Sequence, residues 1–448
     1  MNNEREKLGS RLGFILLSAG CAIGLGNVWT FPWRTGNNGG AAFVLLYILA
    51  VIILGIPVMV AEFTIGRASQ TSPILMEKKL EKPGTKWHIN GWISLAGNLF
   101  LMMFYTTIAG YFIHYLIKFL TGNIENLTYA ATKENVAANL ICNGIIVIVG
   151  FIVLSFKLQK GVERITKYMM ICLFVLLIAI GIHCCTLPGA KEGLTFYLKP
   201  DFSTITAKTV IAAMNQAFFS LSLGMGSMAI FGSYINKDRA LLGESISVCG
   251  LDTLVALLAG LIIFPACFSF GIQPDAGPDL LFTTMVPVFA SMKGGMLWGT
   301  LFFLFMLFAA FSTVFAVFEN ILAMIRDLTG WSRKKGCIIC CIAMLVLTLP
   351  MALTGNVLSS FHPFSSEASN FLDLWDFFVE TIIQPLGSII FLLFIAIKSK
   401  GWGWDNFVKE ANIGKGLKIK SWMKPVICYI SPAIITFLWI YGLIKFGY

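Results

Sequence analysis

Two stretches decide how this chain folds: Gly20-Cys21-Ala22-Ile23-Gly24-Leu25-Gly26-Asn27 and Ser220-Leu221-Ser222-Leu223-Gly224-Met225-Gly226-Ser227. Each interrupts a long apolar run with glycine and polar residues near its middle. A glycine inside a helix is unfavourable by roughly 1 kcal/mol relative to alanine. A backbone group freed inside lipid is worse still unless something bonds it. One such stretch alone reads equally well as close packing of the small-x-x-x-small kind, which Gly20 and Gly24 fit. Two of them, five helices apart in corresponding halves, read as an inverted repeat with a ligand site at the bilayer midplane. Unwound carbonyls there suit a cation, and exposed N-terminal ends of half-helices suit an anionic group.

The surrounding runs require a bilayer. The 448 residues are 57% hydrophobic and only 12% charged, and mean hydropathy is +0.80; a soluble chain carries about twice that charge. The runs predict an all-α polytopic membrane protein with eleven helices, about 12–36, 41–68, 89–120, 139–156, 164–185, 209–234, 243–271, 295–327, 335–354, 371–397 and 421–445. Most hold the roughly 20 apolar residues that cross the hydrocarbon core. The third, eighth and tenth are longer and are expected to tilt or protrude. The chain reads as one transmembrane domain over 1–448, with one repeat over about 10–186, a second over about 208–398 and an extra helix at about 421–445. The first run, Leu12 to Val28, is long and Gly-punctuated and lacks a small-residue cleavage site, so no removable signal is expected.

Charge sets the orientation. With the N-terminus in the cytoplasm, 25 of the 33 basic residues fall on the inner side, among them Lys78, Lys79, Lys82, Lys86, Arg333 to Lys335 and Lys398 to Lys424. This asymmetry places the N-terminus inside and, with eleven helices, the C-terminus outside a plasma membrane. It also accounts for the net charge of +10 without nucleic acid. Cys337, Cys340 and Cys341 lack a second pair or a histidine to complete a metal site, and they read as small apolar filler. His88, His114, His183 and His362 are scattered, with no H-E-x-x-H or G-x-S-x-G, so an enzyme is not expected. A channel would need a continuous polar lining, which is missing from the sequence.

Glu62, Asp252, Glu319 and Asp376 lie within apolar runs, as do the adjacent hydroxyls Ser312 and Thr313. Ionisable groups at such depth are functional candidates by default. Taken with Arg11-Leu12-Gly13, Gly24 to Asn27, Phe31-Pro32, Asn38-Gly39-Gly40, Gly66-Arg67, Gln216 to Gly226, Ser233-Tyr234, Gly330-Trp331-Ser332-Arg333 and Asp373 with Asp376, the chain resembles the neurotransmitter:sodium symporter family, and especially its bacterial eleven-helix amino-acid transporters. The resemblance runs from Arg5 to about the eleventh helix.

The resemblance implies a sodium-coupled symporter that imports an amino acid by alternating access, with two sodium ions as coupling ions and no other cofactor. The first sodium would take the Ala22 carbonyl, Asn27, Ser220, Asp252 and the substrate carboxylate. The second would take the carbonyls of Gly20, Ile23 and Ala309 with the hydroxyls of Ser312 and Thr313. Sodium is a hard cation that prefers such oxygens. The substrate carboxylate would meet the Leu25 and Gly26 amides and Tyr105, and its ammonium the carbonyls near Cys21 and Ala22 and in the second break, with Ser222. Its side chain would fill a pocket of Leu101, Ile108, Phe219, Met225, Thr313 and Val317; ordinary helix packing is the alternative reading of these apolar residues. Glu62 would support the site from behind. Its partners would be the amino acid, sodium and membrane lipid, with no nucleic acid and no obligatory protein. A sensor on the same fold, or a carrier of another small zwitterion, are the alternatives.

Three departures from the family shape the expectations. Thr30 stands where the family's outer-gate arginine is usual, so Arg34, one turn outward, is expected to reach Asp376, with Phe219 below as a lid. Asp252 stands where many members have asparagine. Ala256 replaces a serine of the chloride-dependent members, although Tyr47, Gln216 and Ser220 are retained. Asp252 would then supply a fixed negative charge in place of chloride and is a candidate to take up a proton on the empty carrier. At the inner gate, Arg5 is expected to pair with Asp327 near Ser233 and Tyr234. The slim Met225 and short Val317 predict a hydrophobic L-amino acid, aromatic ones admitted. No carboxylate side chain lies near Cys21 to hold a decarboxylated amine.

Overall fold

The computed structural model describes residues 7–272, 280–364 and 369–446. Among them, eight continuous helices are long and apolar enough to cross a membrane. These are Ala41–Ser69, Ile89–Thr121, Val136–Ser155, Gly161–Cys185, Leu241–Ser269, Gly295–Thr329, Phe371–Ala396 and Ser421–Ile444. The first span is a bent pair, Arg11–Ala22 and Gly26–Asn37, angled by 55°. The sixth is also two pieces, Ala207–Ser220 and Ser227–Tyr234, with 14 and 8 residues. Neither half crosses 30 Å of hydrocarbon alone at 1.5 Å per residue. The ninth is Arg333–Leu347 continued by Leu349–Ala352.

Polar side chains set where these helices start. Ser10 accepts the Gly13 amide at the start of the first span. Thr206 and Thr209 close a reciprocal cap on the sixth, and Asn370 with Asp373 does the same on the tenth. Each cap satisfies amides that a helix start leaves open. The long third and eighth spans pack on each other, and the eighth also packs on Arg11–Ala22 of the first and Ser227–Tyr234 of the sixth. In both, 72% of the apolar window is buried, against 28% in the fifth and 33% in the eleventh. The third and eighth are therefore the inner scaffold, and the fifth and eleventh turn most of their surface to lipid.

The second span, the loop after the sixth and the short helix Trp404–Ala411 are tied by one buried arginine. Arg67 has no exposed side chain; its Nε donates to Glu410 Oε1 at 2.8 Å and its Nη1 to the Arg239 carbonyl at 2.6 Å. Its Nη2 donates to the Glu410 carbonyl. Removing one partner of a buried pair leaves the other charge uncompensated, at a cost of about 3–5 kcal/mol. Glu410→Ala is therefore expected to lower the thermal midpoint of the detergent-purified protein. Arg67→Met with Glu410→Ala should cost less than the sum of the two single changes. Midpoints that stay at the wild-type value, or that fall additively, would contradict this role.

Candidate functional site

The two breaks face each other and are stitched together by side chains. In the first, the helix ends at Ala22 and resumes at Gly26 through a wide turn over Gly26–Thr30. In the second, Ser222, Gly224 and Gly226 have φ of +50°, +82° and +67°. The glycines adopt this region without a Cβ clash, whereas Ser222 holds it under local strain. The Ser222 hydroxyl donates to the Cys21 carbonyl at 3.3 Å, joining one break to the other. Glu62 accepts the Gly224 amide at 2.7 Å and the Met228 amide at 3.1 Å. A carboxylate at a helix N-terminus is favourable, so Glu62 of the second span caps Ser227–Tyr234, the second piece of the sixth. Asn98 of the third span donates to the Met225 carbonyl at 2.8 Å.

Two groups of oxygens gather at the breaks. In one, Asn27 Nδ2 donates to Asp252 Oδ1 at 2.8 Å and to the Asp252 carbonyl at 3.0 Å, while Asn27 Oδ1 accepts the Gly24 amide at 3.1 Å. The Tyr47 hydroxyl lies 3.2 Å from Ser220 Oγ and 3.5 Å from Asp252 Oδ2. In the other, Ser312 Oγ is 3.2 Å from the Ile23 carbonyl and 2.8 Å from that of Ala309. Thr313 Oγ1 is 3.4 Å from the Gly20 carbonyl and 3.3 Å from that of Ile23. Neutral carbonyls and hydroxyls, with one carboxylate nearby, are the donor set of a hard monovalent cation.

Residues of both breaks wall a cavity of about 10 Å³, about the room for one water. Its walls include Ala22, Gly24, Leu25, Gly26, Leu101, Tyr105, Phe219, Ser222, Thr313 and Gln384. The Leu25 amide donates to the Tyr105 hydroxyl at 3.3 Å. Ile108, Met225 and Val317 are fully buried, as a pocket wall and plain packing both require. Gln384 is a wall residue that the sequence reading missed; a glutamine next to Pro385 inside an apolar run was the available signal. A cavity of this size admits an amino-acid side chain only if its walls, Phe219 among them, move apart.

The outer lid differs from expectation. Arg34 Nη2 pairs with Glu380 Oε2 at 2.7 Å, not with Asp376. Its Nη1 donates to Gln216 Oε1 at 3.1 Å, and its guanidinium lies 6.0 Å from the Phe219 ring centre. Thr30 donates to the same Gln216 oxygen at 3.0 Å, and Gln216 Nε2 donates to the Gly26 carbonyl at 2.7 Å. The reason for the changed partner lies in the tenth span. Its wide turn over Phe377–Ile383 follows Asp376 directly and alters the register of the next turn.

On the other side, Arg5 lies outside the described residues, so its pairing with Asp327 is not placed. Asp327 Oδ2 accepts the Ser72 amide at 2.8 Å, and the Ser233 hydroxyl donates to the Ile230 carbonyl at 2.6 Å. A second cluster closes this side. Tyr234 donates to Glu319 Oε1 at 2.9 Å, and Arg333 grips both Glu319 oxygens, at 3.1 and 2.5 Å. The sequence marks Glu319 only as a charge within an apolar run and gives no sign of these partners.

Comparison with known proteins agrees over the whole chain. The model of the sodium:neurotransmitter symporter family matches residues 5–143 and 135–448. An uncharacterized sodium-dependent transporter of Bacillus subtilis is 36% identical over 447 residues, 98% of each chain. One of Methanocaldococcus jannaschii is 31% identical, covering 97% of this chain and 89% of its own. The crystal structure of MhsT in complex with L-phenylalanine matches with a TM-score of 0.87 at 36% identity, covering 98% of this chain and 100% of that one.

The lid geometry makes a direct prediction. Double-mutant cycles on substrate affinity should give Arg34 and Glu380 a coupling of about 1–2 kcal/mol, and Arg34 and Asp376 a smaller one. Equal couplings, or a larger one for Asp376, would contradict the assignment.

Proposed function

Because the chain belongs to the sodium:neurotransmitter symporter family, whose members are sodium-coupled carriers and not enzymes, we propose that it imports a hydrophobic L-amino acid with two sodium ions, independently of chloride. The observation that carries this reading is the pair of oxygen clusters at the breaks, next to a small cavity walled by residues of both breaks. In this proposal the Asn27, Ser220 and Asp252 group takes the first sodium with the Ala22 carbonyl. Gly20, Ile23, Ala309, Ser312 and Thr313 take the second. The substrate carboxylate meets the Leu25 and Gly26 amides and Tyr105, and completes the first site. Its side chain extends toward Leu101, Phe219 and Met225, a wall of apolar groups. That MhsT is seen with L-phenylalanine supports a substrate of this kind.

Alternating access follows from the two ionic clusters. Amino acid and sodium enter while Arg34 is away from Glu380, and the pair re-forms over Phe219. Release to the other side requires Tyr234 and Arg333 to part from Glu319. With the N-terminus in the cytoplasm, entry is from outside. At a 100 mV potential each sodium gains about 2.3 kcal/mol, and a tenfold gradient adds about 1.4 kcal/mol. Two ions supply roughly 7 kcal/mol, enough for a substrate gradient near 10⁵ at roughly 1.4 kcal/mol per decade.

Chloride independence is supported by charge and by geometry. Two sodium ions bring two positive charges and a zwitterion brings none net, and buried charge needs a partner nearby. Asp252 is a fixed carboxylate bonded to Asn27, within the first cluster. Gln216 is committed to Gly26, Thr30 and Arg34 rather than to Tyr47, and Ala256 offers no hydroxyl.

In proteoliposomes with an inward sodium gradient, uptake of leucine, phenylalanine or tyrosine should be unchanged when gluconate replaces chloride. Asp252→Asn with Ala256→Ser should lose about tenfold or more of its uptake in gluconate and recover it in chloride. Wild-type uptake that collapses without chloride would overturn the assignment of Asp252. A strong preference for glycine or a monoamine would overturn the substrate class.

A further inference from the structure

A buried carboxyl that the transport site does not use lies against the second break. Glu77 sits on the short helix Pro73–Leu80 between the second and third spans, and its side chain is fully buried. That helix packs directly on the break: a Cβ on Gly226 would lie 2.6 Å from Pro73 and 3.4 Å from Ser94 Oγ. Asn90 Nδ2 donates to Glu77 Oε1 at 2.7 Å. The other two polar atoms of this pair, Glu77 Oε2 and Asn90 Oδ1, find no partner among the described residues, and neither do the buried hydroxyls of Ser72 and Ser94. An ionised carboxylate and an amide oxygen both accept and cannot donate. The pair therefore leaves two buried acceptors without a donor, and a proton on the carboxyl would supply one.

The charged groups around Glu77 do not neutralise it. On its own helix, Lys79 is turned to the Ser69 carbonyl at 2.7 Å and Lys78 is exposed. Glu81, just beyond, bonds His88 at 2.6 Å. From the second span, Glu62 caps the break and Arg67 is held by Glu410. From the eighth, Asp327 accepts the Ser72 amide, Arg326 donates to the Trp331 carbonyl, and Glu319 is held by Arg333 and by Tyr234 of the sixth span. Among the described residues no cation pairs with Glu77. Burial raises its pKa from 4.5 to about 8, opposed by the Asn90 bond and by the residue's own backbone N–H and reinforced by Glu62 and Glu81.

We infer that Glu77 is a proton-binding site of the transport cycle: in the closed form it is a neutral acid whose Oε2–H supplies the donor that Asn90 Oδ1 lacks, and the proton leaves toward the cytoplasm when Pro73–Leu80 parts from the third span. The step breaks one O–H bond and hands the proton to water, leaving a solvated carboxylate. This rests on the alternating-access reading above. The sign follows from proton counting. The closed form holds one more proton than the open form, in which the carboxyl returns toward its ordinary range near 4.5. Raising cytoplasmic pH between about 5 and 8 therefore favours the inward-open form, by up to about tenfold per pH unit.

The test has two readouts. Infrared spectra of the full-length protein at pH 6.5 should contain a protonated-carboxyl band that is absent from Glu77→Gln and titrates with a midpoint near 8. In Asn90→Ala, which keeps the acid but removes its partner, the band should move to higher frequency. Raising the vesicle-interior pH from 6.5 to 7.5 should increase the inward-open population severalfold in wild type, and not in Glu77→Gln. A wild-type spectrum identical to that of Glu77→Gln, or a pH response retained by Glu77→Gln, would overturn the inference. So would a band that appears only when sodium is replaced by potassium, which would make the ligand a metal cation. If no amino acid is carried at all, the carrier reading fails while the infrared titration still decides the state of Glu77.

Discussion

Everything in this structure depends on one constraint: a backbone amide or carbonyl freed inside a bilayer must find a partner within the protein. Opening two helices at mid-membrane frees several such groups at once. Glu62 takes the Gly224 and Met228 amides, Asn98 takes the Met225 carbonyl, and Gln216 takes that of Gly26. Ser222 reaches across to Cys21, and Ser312 and Thr313 reach the Gly20 and Ile23 carbonyls. Ser312 and Thr313, which hold the Gly20 and Ile23 carbonyls, are also groups that suit a cation. A hydroxyl that now donates to a carbonyl can turn its lone pairs, with that carbonyl, toward an ion. The site can therefore persist without its ligands and still receive them.

Two ionic clusters of different chemistry flank the breaks. On one side a single guanidinium bridges Glu380 and Gln216 over the Phe219 ring. On the other a tyrosine and an arginine share one buried carboxylate. Arg67 holds the surrounding segments rigid, and with no exposed side chain it is poorly placed to move.

Much of this was legible in the sequence because apolar run length and glycine placement are direct physical signals. The predicted spans fall within a few residues of the observed helices, and the breaks lie where Gly20 to Asn27 and Ser220 to Ser227 put them. Side-chain partners were less legible. Asp376 and Glu380 lie one turn apart in the tenth span, and periodicity alone offers both to Arg34. The wide turn over Phe377–Ile383 breaks the period on which such reasoning rests, and the same turn precedes the missed wall residue Gln384. Glu319 and Arg333 meet only because the chain reverses at Gly330, with φ of +71°. Glu77 stands in a short, charged, unremarked segment, and only packing against Asn90 reveals its burial. The family match reaches all of the spans, yet leaves these pairings to be read from the coordinates.

The central claim is that the oxygens gathered at the breaks bind sodium together with an amino-acid carboxylate. Equilibrium binding of labelled L-phenylalanine to the purified protein, titrated with sodium at constant ionic strength against potassium, tests it most directly. The account predicts an affinity that rises steeply with sodium, with a log–log slope between about one and two. Thr313→Ala should lower that slope, and potassium should not substitute. Binding of equal strength in potassium, or binding unaffected by sodium, would contradict the account.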